Sequence, residues 1–204
     1  TETTGLDFAK GDRIIDLACV ELINHVATGN NLQFYCSTDK SVNEEALKIS
    51  GLSNEFLSQF PSFSEQADKL LNFIKKDTLI IHNAEFDIGF INNELRLMGA
   101  NKIQNKVVDT IVLARKKLNT QTASLDYLCR RFSIDLSART LHGALLDCQL
   151  LAEVYVELLG GRQISLDLAK TPDLDTTIQI KNLKKNYKIH KVKITEKNKQ
   201  EHKD

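Results

Sequence analysis

Apolar residues crowd both faces of the segment from Arg13 to Asn24 (Ile14, Ile15, Leu17, Cys19, Val20, Leu22, Ile23). A short run without alternation suits a strand buried on both sides. Gly29-Asn30-Asn31 follows as a turn signal. Leu32-Gln33-Phe34-Tyr35-Cys36 then alternates, so the two runs are predicted to form an antiparallel hairpin turning at 29–31. Gly5 to Gly11 reads as a loop. Beyond the hairpin the period lengthens. Short helical pieces occupy Glu44–Ile49 and Asn54–Gln59, broken by Ser50-Gly51. Ser62-Phe63-Ser64-Glu65 is a capping box, in which a serine and a glutamate satisfy free amides at a helix start; Ala67, Leu70, Leu71 and Ile74 continue it at helical spacing. Thr78–Ile81 is a short buried strand ending at His82. A helix follows Asp87, with Phe90, Ile91, Leu95 and Met98 on one face and Gly99 as its stop. Val107-Val108 is a strand ending at Asp109, and helices are predicted over Ile111–Leu118, Ser124–Phe132 and Gly143–Leu159, the second capped by Ser124. A hairpin followed by strands alternating with helices predicts an α/β domain, with a mixed central sheet flanked by helices.

Composition and charge refine this picture. The chain has 204 residues, 42% of them hydrophobic and 26% charged, which is enough for one sizeable core. No apolar run approaches the roughly 20 residues of a membrane helix, and the start is polar and acidic. Cys19, Cys36, Cys129 and Cys148 are widely spaced within apolar patterns and read as buried reduced thiols of a cytoplasmic protein, not as a zinc site. The net charge is zero but uneven: residues 1–169 carry 17 Lys+Arg against 22 Asp+Glu, and residues 170–204 carry 10 Lys against 5 acids. The body is therefore acidic, and any nucleic acid it handles must be met by a local site and by cations. Residues 1–168 read as one domain. Residues 169–204 read as a lysine-rich, flexible arm, either a solvated tether or a contact for nucleic acid or a partner.

Three acidic clusters stand at predicted element ends: Glu2 near the start, Asp87 after a buried strand, and Asp147 one turn into the last helix. His142 lies five positions before Asp147. Each has an ordinary alternative. Asp87 suits a helix first turn, Asp147 a solvated helix face, Glu2 a free chain end and His142 a loop or cap. A carboxylate among Ala144, Leu145, Cys148 and Leu151 nonetheless costs stability unless a cation or donor pairs with it. Carboxylates converging from several elements are what two divalent ions about 4 Å apart require.

The local wording of these clusters narrows the choice. TETTGL, HNAEFDIGF and RTLHGALLDCQLLAEVY resemble the three exonuclease motifs of the DEDDh superfamily, whose members have a ribonuclease H-like fold. Within it the chain is most similar to the proofreading epsilon subunits of bacterial DNA polymerase III, with ATGNN, SNEFL, VVDTIVLARK and SLDYLCRRFSIDLS as supporting segments. The resemblance covers residues 1 to about 166. It implies a 3′–5′ exonuclease that releases nucleoside 5′-monophosphates from mispaired DNA 3′ ends, using two divalent ions, Mg²⁺ or Mn²⁺. It implies Glu2 and Asp147 as ligands of the ion that activates water, Asp87 as a ligand of the second ion, and His142 as the general base. Imidazoles titrate near ~6.5 in water, which suits that task. Glu2, Thr3, Leu6, Glu45, Phe86 and Asp147 are implied substrate contacts: Thr3 and Leu6 flank the terminal nucleotide, Glu45 reaches the 3′ sugar, and Phe86 and Leu6 pack on bases. The implied partners are a single-stranded or frayed DNA 3′ end and the polymerase III alpha (catalytic) subunit, the latter through residues 169–204; no membrane is implied.

Two departures bear on these expectations. Ser50-Gly51-Leu52 stands where the epsilon pattern often has His-Gly-Ile. The family's first motif opens with a metal-bridging aspartate, while this sequence opens on the following threonine and its only methionine is Met98. The sequence is thus expected to be trimmed at its N-terminus, without the family's first central strand, and nearly inactive alone until an upstream strand ending in aspartate is restored. The alternatives are a 3′–5′ exoribonuclease of the ribonuclease T or oligoribonuclease type, and an inactive structural polymerase subunit.

Overall fold

The element order is β1 (Glu2–Thr3), β2 (Ile14–Ile23), β3 (Val26–Tyr35), α1 (Glu44–Ser50), α2 (Asn54–Leu57), α3 (Phe63–Ile74), β4 (Leu79–Ile81), α4 (Ala84–Leu97), β5 (Val107–Asp109), α5 (Thr110–Leu118), α6 (Leu125–Arg131) and α7 (Ala144–Leu158). This is a computed structural model, and it describes residues 1–137, 139 and 141–161. The expectations for residues 169–204 lie outside that range.

The α/β architecture is present, with its strands parted into two sheets. β1, β2 and β3 form an antiparallel sheet in the order β1-β2-β3, while β4 and β5 pair in parallel. Two residues of β1 pair with β2, Glu2 opposite Asp16 and Thr3 opposite Ile14. Among the described residues no ladder joins β2 to β4. A cavity of about 1140 Å³ lies between them, lined by Leu17 and Cys19 from β2 and by Leu79 and Ile81 from β4.

The hairpin turn differs from expectation. β3 runs straight through Gly29-Asn30-Asn31, and the chain reverses at Asn24-His25, where both residues have positive φ (51° and 66°). Two successive left-handed residues give the tight turn whose twist matches the flanking strands. Gly29 instead sits, at φ 85°, within a bulge where the register shifts opposite Val20 and Leu22. The predicted loop 5–11 contains a 3-10 turn, Phe8–Lys10, capped by the Asp7 carboxylate accepting from the Ala9 amide.

Helix starts follow their sequence signals. The Ser62 amide donates to Glu65 at 2.8 Å in the expected capping box. Ser124 accepts from the Tyr127 amide at 3.3 Å. Two cores result. Ile14, Leu17, Phe34, Phe63, Leu70 and Phe90 fill one, between the hairpin and α3–α4. Ala114, Leu128, Cys129, Leu150, Val154 and Leu158 fill the other, among α5, α6 and α7. Arg13 and Glu94 tie β2 to α4 through a two-pronged ion pair (2.8 and 2.6 Å), and the same carboxylate accepts from the Ile14 amide. All four cysteines are free thiols. Among the described residues no helix is long and apolar enough to cross a membrane.

Candidate active site

α7 carries Asp147 and has no side-chain cap of its own, since Gly143 precedes it. Its first amide, on Ala144, donates to the Asp16 carboxylate of β2 at 3.1 Å, and the Cys148 thiol donates to the Ala18 carbonyl at 3.3 Å. Asp16 is 1% exposed, and burial pushes its pKa up against the pull of hydrogen bonds from Gln33 and the Ala144 amide. The same aspartate lies opposite Glu2 in the β1–β2 ladder. Asp16 therefore holds the helix bearing Asp147 through its carboxylate and pairs with the strand bearing Glu2 through its backbone.

Asp87 stands in the first turn of α4, which begins at Ala84, three residues earlier than the sequence suggested. The helix starts there because Asn83 adopts a left-handed conformation (φ 68°) and the Ala84 amide donates to Asp109 at 2.8 Å. Asp109 ends β5 and also accepts from the Ile111 amide at 2.7 Å, so it fastens α4 and α5 together. Asp87 Oδ1 accepts from the Thr1 ammonium and from the Thr1 hydroxyl, each at 2.8 Å.

His142 is tied to α1. Its amide donates to the Ile49 carbonyl at 3.0 Å, and Leu141 packs where a Cβ on Gly51 would come within 2.8 Å of the leucine Cδ1. Gly51 also ends α1 with φ 74°, a conformation that favours glycine. The Ser50-Gly51-Leu52 segment thus seats the histidine's loop. The His142 ring is 48% exposed, with Nδ1 3.6 Å from Asp147 Oδ2.

Glu2, His142 and Asp147 each offer a donor atom, and these atoms lie within 4.8 Å of one another. Asp87 stands outside that close group but acts on it by charge. Burial, together with Asp147, Asp16 and Asp87, raises the Glu2 carboxyl to about 7, against the opposing pull of the N-terminal ammonium. A glutamate held up by burial and by neighbouring carboxylates marks a site that a cation stabilises. Consistent with this, the Asp147 oxygens engage a positive group, the Arg139 guanidinium.

The implied substrate contacts divide. Thr3 is buried, its hydroxyl donating to the Gly5 carbonyl at 2.6 Å. Phe86 is half-buried, its ring 4.8 Å from that of Phe90 at the core's edge. Leu6, 78% exposed, and Glu45, exposed on α1, lie outside the close donor group. Three further residues went unnoticed in the sequence. Asp16 had a visible signal, an acid within the apolar run Ile14-Ile15-Asp16-Leu17. His82 donates to or accepts from the Thr110 hydroxyl at 2.9 Å, and burial lowers its pKa. Arg139 opens the RTLHGALLDCQLLAEVY stretch but was not singled out, and its tie to Asp126 of α6 is visible only in the fold.

Known proteins resemble this chain in sequence and in fold. The exonuclease family model matches residues 1–155. The chain belongs to the exonuclease family. Its relatives include DNA polymerase III subunit epsilon of Rickettsia prowazekii, 45% identical over 89% of this chain and 81% of that protein. The subunit of the same name from Escherichia coli is 44% identical over 79% of this chain and 70% of that protein. The nuclease domain of 3′hExo, a DEDDh family member bound to rAMP, shares the fold, with a TM-score of 0.66 and 16% identity over 73% of this chain and 82% of that one. This exonuclease is thus of the epsilon type, and divalent metal use belongs to its family.

Proposed function

We propose that this epsilon-type exonuclease removes 3′-terminal nucleotides from mispaired DNA, with Glu2, Asp87 and Asp147 holding two Mg²⁺ or Mn²⁺ ions and His142 serving as general base. The carrying observation is the convergence of Glu2, His142 and Asp147 donor atoms within 4.8 Å, from segments 140 or more positions apart in two of the three pairs. The donor set fits the ions: hard oxygens from separate elements, among them a glutamate whose proton a cation displaces. When bound, such ions neutralise charge on the attacked phosphate and acidify the attacking water.

The chain's own residues supply the rest. His142 sits beside Asp147 on a half-exposed loop, where its ring can take a proton from a water placed between it and the carboxylates. Its backbone bond to Ile49 fixes the loop's origin while leaving the ring room to reorient. Asp147 is held by α7 and stays in place. Thr3, Leu6, Glu45 and Phe86 surround the terminal nucleotide, with the turn after β1 on one side and α1 on another. Such a site admits a single strand, so a frayed, mispaired end reaches it at lower cost than a paired one. The partner is the polymerase III alpha subunit, and the setting is the bacterial cytoplasm.

Turnover of a 3′-mismatched DNA primer compared with a short RNA, in Mg²⁺, tests this function. Faster hydrolysis of the mismatched primer than of a paired one or of RNA is expected. Preferred turnover of RNA would contradict it and favour the exoribonuclease alternative.

A further inference from the structure

Arg139 lies between α6 and α7, with its side chain 9% exposed. Its Nε donates to Asp147 Oδ1 at 2.6 Å and its Nη2 to Asp147 Oδ2 at 2.8 Å, so both oxygens of that carboxylate are engaged. Nη1 donates to Asp126 in the first turn of α6. Nη2 also lies 3.1 Å from His142 Nδ1. A guanidinium has no acceptor, so it is the donor in this last contact, and Nδ1 presents its lone pair. One planar cation thus grips the candidate metal ligand, touches the candidate base and is moored to a third residue outside the site. The Asp147 hydrogen bond and charge raise the Arg139 pKa further, so the group stays charged.

We propose that Arg139 is an internal counter-cation that latches the metal-free site: it competes with divalent metal for Asp147 and holds His142 until metal displaces it. This rests on the proposed role of Asp147 as a metal ligand. Three observations favour a latch over a fixed structural pair. The two-pronged contact takes up a lone pair on each of the oxygens a divalent ion would use, and two cations on one carboxylate repel each other, so each weakens the other's hold. Asp126 is 43% exposed and offers Arg139 a second carboxylate to keep after release, which lowers the cost of letting go. The contact with His142 couples the two events, because removing the guanidinium frees Nδ1 and the ring together.

Calorimetric titration of Mn²⁺ alone into wild type, Arg139→Gln and Asp147→Ala, with no DNA present, tests the latch. Arg139→Gln is expected to bind Mn²⁺ about 5-fold tighter or more, the lower end of typical coupling between sites. Its metal-free melting temperature should fall and its Mn²⁺-induced rise should grow. Unchanged or weaker Mn²⁺ binding by Arg139→Gln overturns the latch while leaving Asp147 as a ligand. Equal Mn²⁺ binding by wild type and Asp147→Ala instead removes the metal reading on which the latch rests. Should Arg139→Gln fail to fold, the wild-type protein decides. The Arg139 Nε–H resonance, assigned by its loss in Arg139→Lys, should shift as Mg²⁺ is added, with the midpoint of metal binding. A resonance unmoved at saturating Mg²⁺ overturns the latch.

Discussion

At the scale of single residues, Glu2 is the most informative group. Its folded-state pKa of about 7 stands above the ordinary 4.5, first because it is buried and then because Asp147, Asp16 and Asp87 are near. Between those values the folded state holds a proton that the unfolded chain has lost. The stabilisation is therefore complete below about 4.5 and is lost as pH rises through about 7. In EDTA, the melting temperature of the wild type is expected to fall over that window, and Glu2→Gln should flatten the fall. Mn²⁺ should restore stability at pH 8, because it binds the ionised form. A slope in Glu2→Gln as steep as in wild type would show that another group titrates there. Glu2, Asp87, His142 and Asp147 were visible in the sequence because each sits in a short stretch with distinctive neighbours. Asp16 showed only as an acid in an apolar run, because its work depends on meeting Ala144 across 128 positions, and Arg139 was not singled out, because its work depends on meeting Asp126 and Asp147 from a connection without periodicity.

At the scale of elements, the site depends on how helices are fastened to strands. α7 borrows its cap from Asp16 on β2. Asp16→Ala is expected to cost about 1–2 kcal/mol, as for other lost caps, and to weaken Mn²⁺ binding because Asp147 is one turn into that helix. Asp16→Asn keeps an acceptor and should recover most of the stability; urea denaturation of both variants checks this. The tie between β2 and α4 is the Arg13–Glu94 pair, with Glu94 2% exposed. Arg13→Ala leaves that carboxylate buried and unpaired, a loss of about 3 kcal/mol, at the low end for broken buried pairs because the guanidinium is partly exposed. Replacing both partners by Met and Leu should cost clearly less than Arg13→Ala alone. A double replacement as damaging as the single one would show that the stabilisation lies in the pair itself. Most elements were legible from periodicity and capping residues, the Ser62–Glu65 box above all. The hairpin turn was not. Gly29-Asn30-Asn31 has the composition of a turn, but Asn24-His25 takes the left-handed pair and the glycine is used in a bulge. Composition marks where unusual φ values are tolerated, not which strand register will use them.

At the scale of the whole molecule, three distant segments converge because β1 lies along β2, α4 follows β4, and α7 packs on β2. α4 belongs to one core and α7 to the other, so Asp87 and Asp147 are carried by separately packed layers with Glu2 between them in the chain's first strand. The α/β class could be read from the order of elements, while the register of each strand pair could not, since pairing is not written in either strand alone. An acidic body that hydrolyses DNA must draw the phosphate in through bound cations, which makes the division of labour between His142 and Asp147 the central point. The most direct test pairs two readings on two variants: Mn²⁺ affinity by calorimetry, and single-turnover hydrolysis of a 3′-mismatched primer. His142→Ala is expected to slow hydrolysis by about 10²-fold or more while keeping wild-type Mn²⁺ affinity, whereas Asp147→Ala loses both. Equal Mn²⁺ affinity in the two variants, or full hydrolysis by His142→Ala, would contradict the assignment.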